Sequence, residues 1–161
     1  VDAKIQVEFD DDVVDEYRLI GFENRGIADQ DFRDDDVDAG ELNAGHQVTA
    51  IYELELDDDA VAGSEIGEVN LRWQDPDSGE VIEIDEEIEL SAVVDQWGQA
   101  SSSLRLSVVV AAFAEILRGS PHRGTVDLDD VAVEAADLAD ELGDPDVAEL
   151  ADLIRRADDL S

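Results

Sequence analysis

The sequence predicts an α+β fold, and three observations predict it. Apolar residues recur at every second position through the first two-thirds of the chain. After Ser101 the spacing becomes helical. Strands therefore come first and helices last, an order that segregates the two kinds of element instead of alternating them. The expected architecture is an antiparallel, sandwich-like β portion over about residues 1–98, followed by a buried helix and two amphipathic C-terminal helices. With 161 residues, 43% of them hydrophobic, the chain reads as a single domain able to bury a core.

Each element has its own signal. Ile5, Val7 and Phe9 alternate with Lys4, Gln6 and Glu8, the period of a half-buried strand. Tyr17, Leu19 and Gly21 fall on one face of the next strand, and Arg18, Ile20 and Phe22 on the other. Such mixed faces predict cover on both sides or a bulge at Gly21. Residues 26–45 are polar and rich in Asp and Gly, a long loop. Val48, Ala50, Tyr52, Leu54 and Leu56 alternate as a third strand that Asp57-Asp58-Asp59 ends.

Val69, Leu71 and Trp73 then run toward the turn Asp75-Pro76-Asp77-Ser78-Gly79, and Ile82, Ile84, Glu86, Ile88 and Leu90 return from it. That hairpin has one greasy face and one nearly all carboxylate, so its apolar face is expected inside. Trp73 and Trp97 are expected in the core or on a sheet face.

Ser101, Ser102 and Ser103 offer N-caps to a helix that is apolar almost all round from Leu104 to Leu117. Asp127 caps a second helix and Gly143 stops it. Asp144-Pro145 opens a third, with Val147, Leu150, Ala151, Ile154 and Ala157 on its inner face and Arg155 and Arg156 near its negative end.

The formal net charge is -35, from 45 acidic and 10 basic residues. Nucleic acid and anionic membrane surfaces need Lys and Arg, and this chain has one lysine, so neither is an expected partner. A carboxylate-rich surface of this kind suits a salty solvent, because salt screens its self-repulsion. No cysteine is present, hence neither a disulfide framework nor thiolate chemistry. No stretch has the apolar length of a membrane-spanning helix, so this chain is not expected to insert in a membrane. The lack of methionine and the start directly in a strand pattern lead us to expect a module excised from a longer protein.

Catalytic motifs are not evident. His46 and His122 belong to no nucleophile elbow and no His-Glu-x-x-His helix. The chain is expected to be non-catalytic and to need no cofactor. Asp75-x-Asp77-x-Gly79 sets its glycine one place too early for a calcium loop and is read as a hairpin turn. The triplets Asp10–Asp12, Asp34–Asp36 and Asp57–Asp59 are read as solvated loop caps, with cation binding as the alternative.

Two runs stand out. One is Tyr17-Arg18-Leu19-Ile20-Gly21-Phe22-Glu23-Asn24-Arg25; the other begins Asp38-Ala39-Gly40-Glu41 and continues Ala44-Gly45-His46-Gln47-Val48-Thr49-Ala50-Ile51-Tyr52-Glu53. Arg18 and Arg25 are conspicuous among so few cations, and a guanidinium beside Glu23, Glu41 or Glu53 would lock the long loop by a bidentate pair. His46, at a strand entrance, would satisfy loop carbonyls. Arg18, Glu23, Asn24, Arg25, Glu41, His46 and Tyr52 are thus the candidate motif or interaction residues.

These runs resemble the C-terminal domain of bacterial YfbK-type von Willebrand factor A proteins, and the resemblance covers nearly the whole chain. It implies a structural and protein-interaction module behind a metal-dependent von Willebrand factor A domain. It implies an extracytoplasmic protein, and a protein partner that the resemblance does not name. A cation-binding, salt-adapted stabilising module is one alternative. Part of an enzyme whose site lies mainly in a neighbouring domain is another.

Overall fold

A computed structural model describes residues 3–21, 31–34, 37, 47–61 and 63–161. The chain divides into two compact units, Val1–Val93 and Val94–Ser161. The fold is α+β: among the described residues all the strands lie in the first unit and three α-helices in the second.

In the first unit, β1 (Lys4–Phe9), β4 (Glu65–Gln74) and β5 (Val81–Glu89) form an antiparallel sheet in the order β1-β4-β5. A second sheet pairs β2 (Val14–Leu19) with β3 (Tyr52–Leu56). One core joins the two sheets. Val13, Val14 and Ile66 are buried, and Phe9, Leu54, Leu56, Ile88 and Leu90 pack against them. Phe9 lies 4.7 Å from the Tyr17 ring and 5.3 Å, edge-on, from the Tyr52 ring, so aromatic contacts also bridge the sheets.

The β4–β5 hairpin turns at 75–79, as its residues predict. The Asp75 carboxylate accepts hydrogen bonds from the Ser78 amide at 2.8 Å, the Asp77 amide at 3.0 Å and the Ser78 hydroxyl at 2.9 Å. These bonds stabilise its charged form and hold its pKa below the ordinary value, the Ser78 amide most of all. Gly79 takes φ +73, where a side chain would be strained.

Two expectations about strands are corrected. The irregularity in β2 is a register shift between Val14 and Glu16, where Asp15 is extra, and not a bulge at Gly21. Gly21 instead leaves the strand with φ +78. The third strand begins at Tyr52, because 47–50 has no regular pairing, although Ile51 still accepts from the Ile20 amide at 2.8 Å. β4 carries an irregularity of its own. Its register slips at Glu65/Gly67, which turns Ile66 into the core at 2% exposure. Beside it, a Cβ on Gly67 would lie 2.2 Å from the Glu8 carbonyl oxygen, so β1 approaches β4 there more closely than any side chain permits.

The second unit follows its caps. Ser101 accepts from the Leu104 amide and opens α1 (Ser102–Leu117). Asp127 opens α2 (Leu128–Leu142), and Gly143 closes it in the left-handed region at φ 63. Asp144 caps α3 (Pro145–Asp158), with Pro145 in its first turn. Val109 of α1, Leu128, Val131, Ala132, Ala135 and Leu138 of α2, and Val147, Ala151 and Ile154 of α3 form the core. Arg105 ties α1 to α2: its Nη2 is 2.6 Å from Glu134 and its Nη1 3.0 Å from Glu141.

The expectation of a helix buried on most sides is corrected. Only Val109 and Glu115 of α1 are buried, whereas Leu104, Val110 and Leu117 are exposed. A helix packed on one helical neighbour covers one stripe, whatever its composition. Trp97 also departs from expectation; it sits in a short 3₁₀ turn, Trp97–Gln99, and is exposed.

Candidate interaction surface

Of the motif residues, Arg18 and Tyr52 lie within the described residues; Glu23, Asn24, Arg25, Glu41 and His46 lie outside them. Arg18 and Glu53 face each other across β2 and β3 in the strand register. The guanidinium Nη2 reaches Glu53 Oε2 at 2.8 Å and Nε reaches the same oxygen at 3.1 Å. This pair ties two strands together near the solvent boundary, Arg18 being mostly covered and Glu53 mostly open. Tyr52 is half-buried under Phe9. Burial, with the Tyr17 hydroxyl second, raises its pKa above the ordinary phenol value. Both residues therefore build the sheet that carries the motif.

Acidic turn residues cap backbone. Asp10 accepts from the Asp12 amide at 2.9 Å, and Asp57 from the Asp59 amide at 2.7 Å. Asp35 and Asp36 lie outside the described residues. Among the described residues no group of three or more His, Cys, Asp or Glu is placed to hold a metal ion. No helix among them is long and apolar enough to cross a membrane. A shallow depression on α3, lined by Pro145, Ala148, Glu149, Asp152, Leu153 and Arg156, belongs to one helix face.

The sheet β1-β4-β5 shows a reversal. Its register aligns Ile5 with Leu71 and Ile84, and Trp73 with Ile82, on one face. The opposite face carries Lys4, Asn70, Arg72, Glu83 and Asp85. The hairpin's sequence pattern predicts the first face inside and the second in water. Instead Ile5 is 49% exposed and Ile84 51%, while Lys4 is 6% exposed and Asn70 4%.

The segment 31–34 explains the second pair of values. Phe32 is buried at 4% exposure, and the Lys4 ammonium donates to the Asp31 carbonyl at 3.3 Å and to the Asp34 carbonyl. Arg33 pairs with Glu83 at 2.7 Å, and Arg72 reaches the other Glu83 oxygen at 3.2 Å. Those bonds, Arg33 first, hold the Glu83 carboxyl below the usual carboxylate range. Part of the long polar loop thus docks on the charged face, and the apolar face stays open at Ile5, Ile82 and Ile84, while Phe9 and Ile88 at its other end pack against the core.

Sequence patterning missed this surface because alternation says which residues share a face and not which face is covered. Two signals were present. The one lysine falls in register with the carboxylate face, and Glu86 lies on the greasy face, opposite Val69.

Comparison with known proteins places the chain in a family. No solved structure matches it. It is 32% identical, over 138 residues, to "Uncharacterized protein YfbK" of Escherichia coli (strain K12). That match takes in 75% of this chain and spans 23% of the relative's length. The family model described as "Uncharacterized protein YfbK, C-terminal" matches residues 1–160. The chain belongs to the family of YfbK C-terminal domains.

Proposed function

We propose that this chain is a non-catalytic structural and protein-interaction module that accompanies a metal-dependent von Willebrand factor A domain in an extracytoplasmic protein. The observation that carries the reading is the open apolar face of β1-β4-β5. Ile5, Ile82 and Ile84 are all exposed on it, with Leu71 and Trp73 half-covered between them. Contiguous apolar surface on a chain of net charge -35 is what a protein contact uses. Water-facing carboxylates around it keep the module soluble and oppose its pairing with a copy of itself. The ion pairs Arg33–Glu83 and Arg72–Glu83 brace β4 and β5, two of the strands that present the face.

Co-purification tests it. The 161-residue chain and the remainder of its full-length protein, expressed separately, should associate. The double substitution Ile5→Lys, Ile84→Lys should weaken that association about tenfold or more, the effect of losing buried anchors at the centre of an interface. Unchanged association with a correctly folded variant would remove the reading.

A further inference from the structure

We propose that the outer edge of β5 is a strand-addition site for an extended partner segment in which Lys or Arg alternates with aliphatic residues. The proposal rests on the reading of the chain as an interaction module and names the chemistry of its partner. β5 is the last strand of its sheet, and among the described residues its only ladder partner is β4. It is nine residues long, and Val81–Glu87 are all exposed. An edge of that length leaves a row of backbone donors and acceptors available to another chain.

Side chains select the occupant. On the charged face β5 presents Asp85 and Glu87, and on the apolar face Ile82, Ile84 and Glu86. Asp85, Glu86 and Glu87 take part in no ion pair among the described residues, whereas Glu83 is already held by Arg33 and Arg72. An added strand sets its own side chains directly beside these, in the same period of two. Its residues beside Asp85 and Glu87 are best basic, and those beside Ile82 and Ile84 best aliphatic. Glu86 admits a cation even on the apolar face.

A second copy of β5 fits poorly. It would set Asp85, Glu86 and Glu87 against another row of carboxylates, and like charges on neighbouring strands are destabilising. The edge that is closed to its own kind is therefore open to a basic strand.

The probe is a nine-residue peptide of alternating lysine and valine, added to the 161-residue chain. Amide hydrogen exchange across 82–88 should slow on binding. Two N-methylated isomers of the peptide remove the main-chain donors of either edge. For antiparallel addition, the direction in which β4 already pairs with β5, one isomer should bind about tenfold or more weakly and the other like the parent, since in that direction only one edge meets β5 with its lysines on the acidic face.

Ile84→Lys should weaken parent binding by a similar factor, and the isomer comparison holds even if that variant misfolds. Equal binding by parent and both isomers, with no slowing at 82–88, would show general attraction of cations to an acidic surface and overturn the proposal. The Ile5 position separates the two readings, because it lies on the opposite edge strand. If Ile5→Lys alone disrupts co-purification while the peptide gives no protection at β5, the interaction role stands and strand addition falls.

Discussion

Lys4 shows how much one side chain can fix in an acidic chain. A buried ammonium is costly unless its donors are met, and here they point at the Asp31 and Asp34 carbonyls. Those bonds pin residues 31–34, and with them Phe32, to a sheet face that would otherwise be wet. Lys4→Met keeps the aliphatic stem and removes the charged donor, so the carbonyls lose their partner. The expected cost is about 1–3 kcal/mol, as for other buried charge-assisted hydrogen bonds. Urea unfolding followed by Trp73 fluorescence, in a Trp97→Phe background, reads the first unit alone. An unchanged midpoint would show that the segment is held by other contacts. Nothing local predicts this tether: residues 31–34 sit in a polar stretch, and the contact spans some thirty positions of sequence.

Elements were legible where their signals are local. Ser101, Asp127, Gly143 and Asp144-Pro145 mark the helix ends because caps act on the nearest amides and carbonyls. Asp75 to Gly79 marks the hairpin for the same reason. Burial was not legible, since Ile84 and Ile154 look alike in a pattern of apolar residues, yet one is 51% exposed and the other 0%. The motif was legible as a motif only, and its use of Arg18 as a cross-strand partner needed the register of β2 and β3.

The α1–α2 clamp carries a pH prediction. The Ser102 hydroxyl, first, and Arg105 hold the Glu141 carboxyl below its ordinary pKa, and Glu134, first, raises that of Arg105. A depressed carboxylate stabilises the fold above its unfolded pKa, about 4.3 for Glu, and ceases to as pH falls through the lower folded value. The helical unit should therefore lose this support on acidification below about pH 4.3. Glu141→Gln should flatten that part of the pH–stability curve, read by helical circular dichroism during thermal melts. A curve of unchanged shape would show that the clamp contributes nothing.

At the scale of the molecule, charge dominates. Folding gathers a net -35 that the expanded chain can spread apart. Raising ionic strength from about 0.1 M to 1 M shortens the Debye length from about 10 Å to about 3 Å, and long-range repulsion then fades. Salt also weakens exposed pairs such as Arg18–Glu53, but each is worth only about 0–1 kcal/mol, so relief of repulsion should win. Tm should rise by several degrees in KCl, given that about 1 kcal/mol moves it by about 2–8 °C at domain size. NaCl should act alike. A flat or falling Tm would mean that the acidic surface is no adaptation to salt.

The same charge frames the open sheet face, since a module that repels itself can leave apolar residues exposed for a partner. The most direct measurement is an isoleucine-methyl NMR titration of this chain with the remainder of its full-length protein. Ile5, Ile82 and Ile84 are exposed, and Ile66 and Ile154 are buried and serve as internal controls. The account predicts that the Ile5, Ile82 and Ile84 methyls shift or broaden together at substoichiometric additions, with Ile66 and Ile154 unmoved. Shifts confined to other surfaces, or none at all, would contradict it.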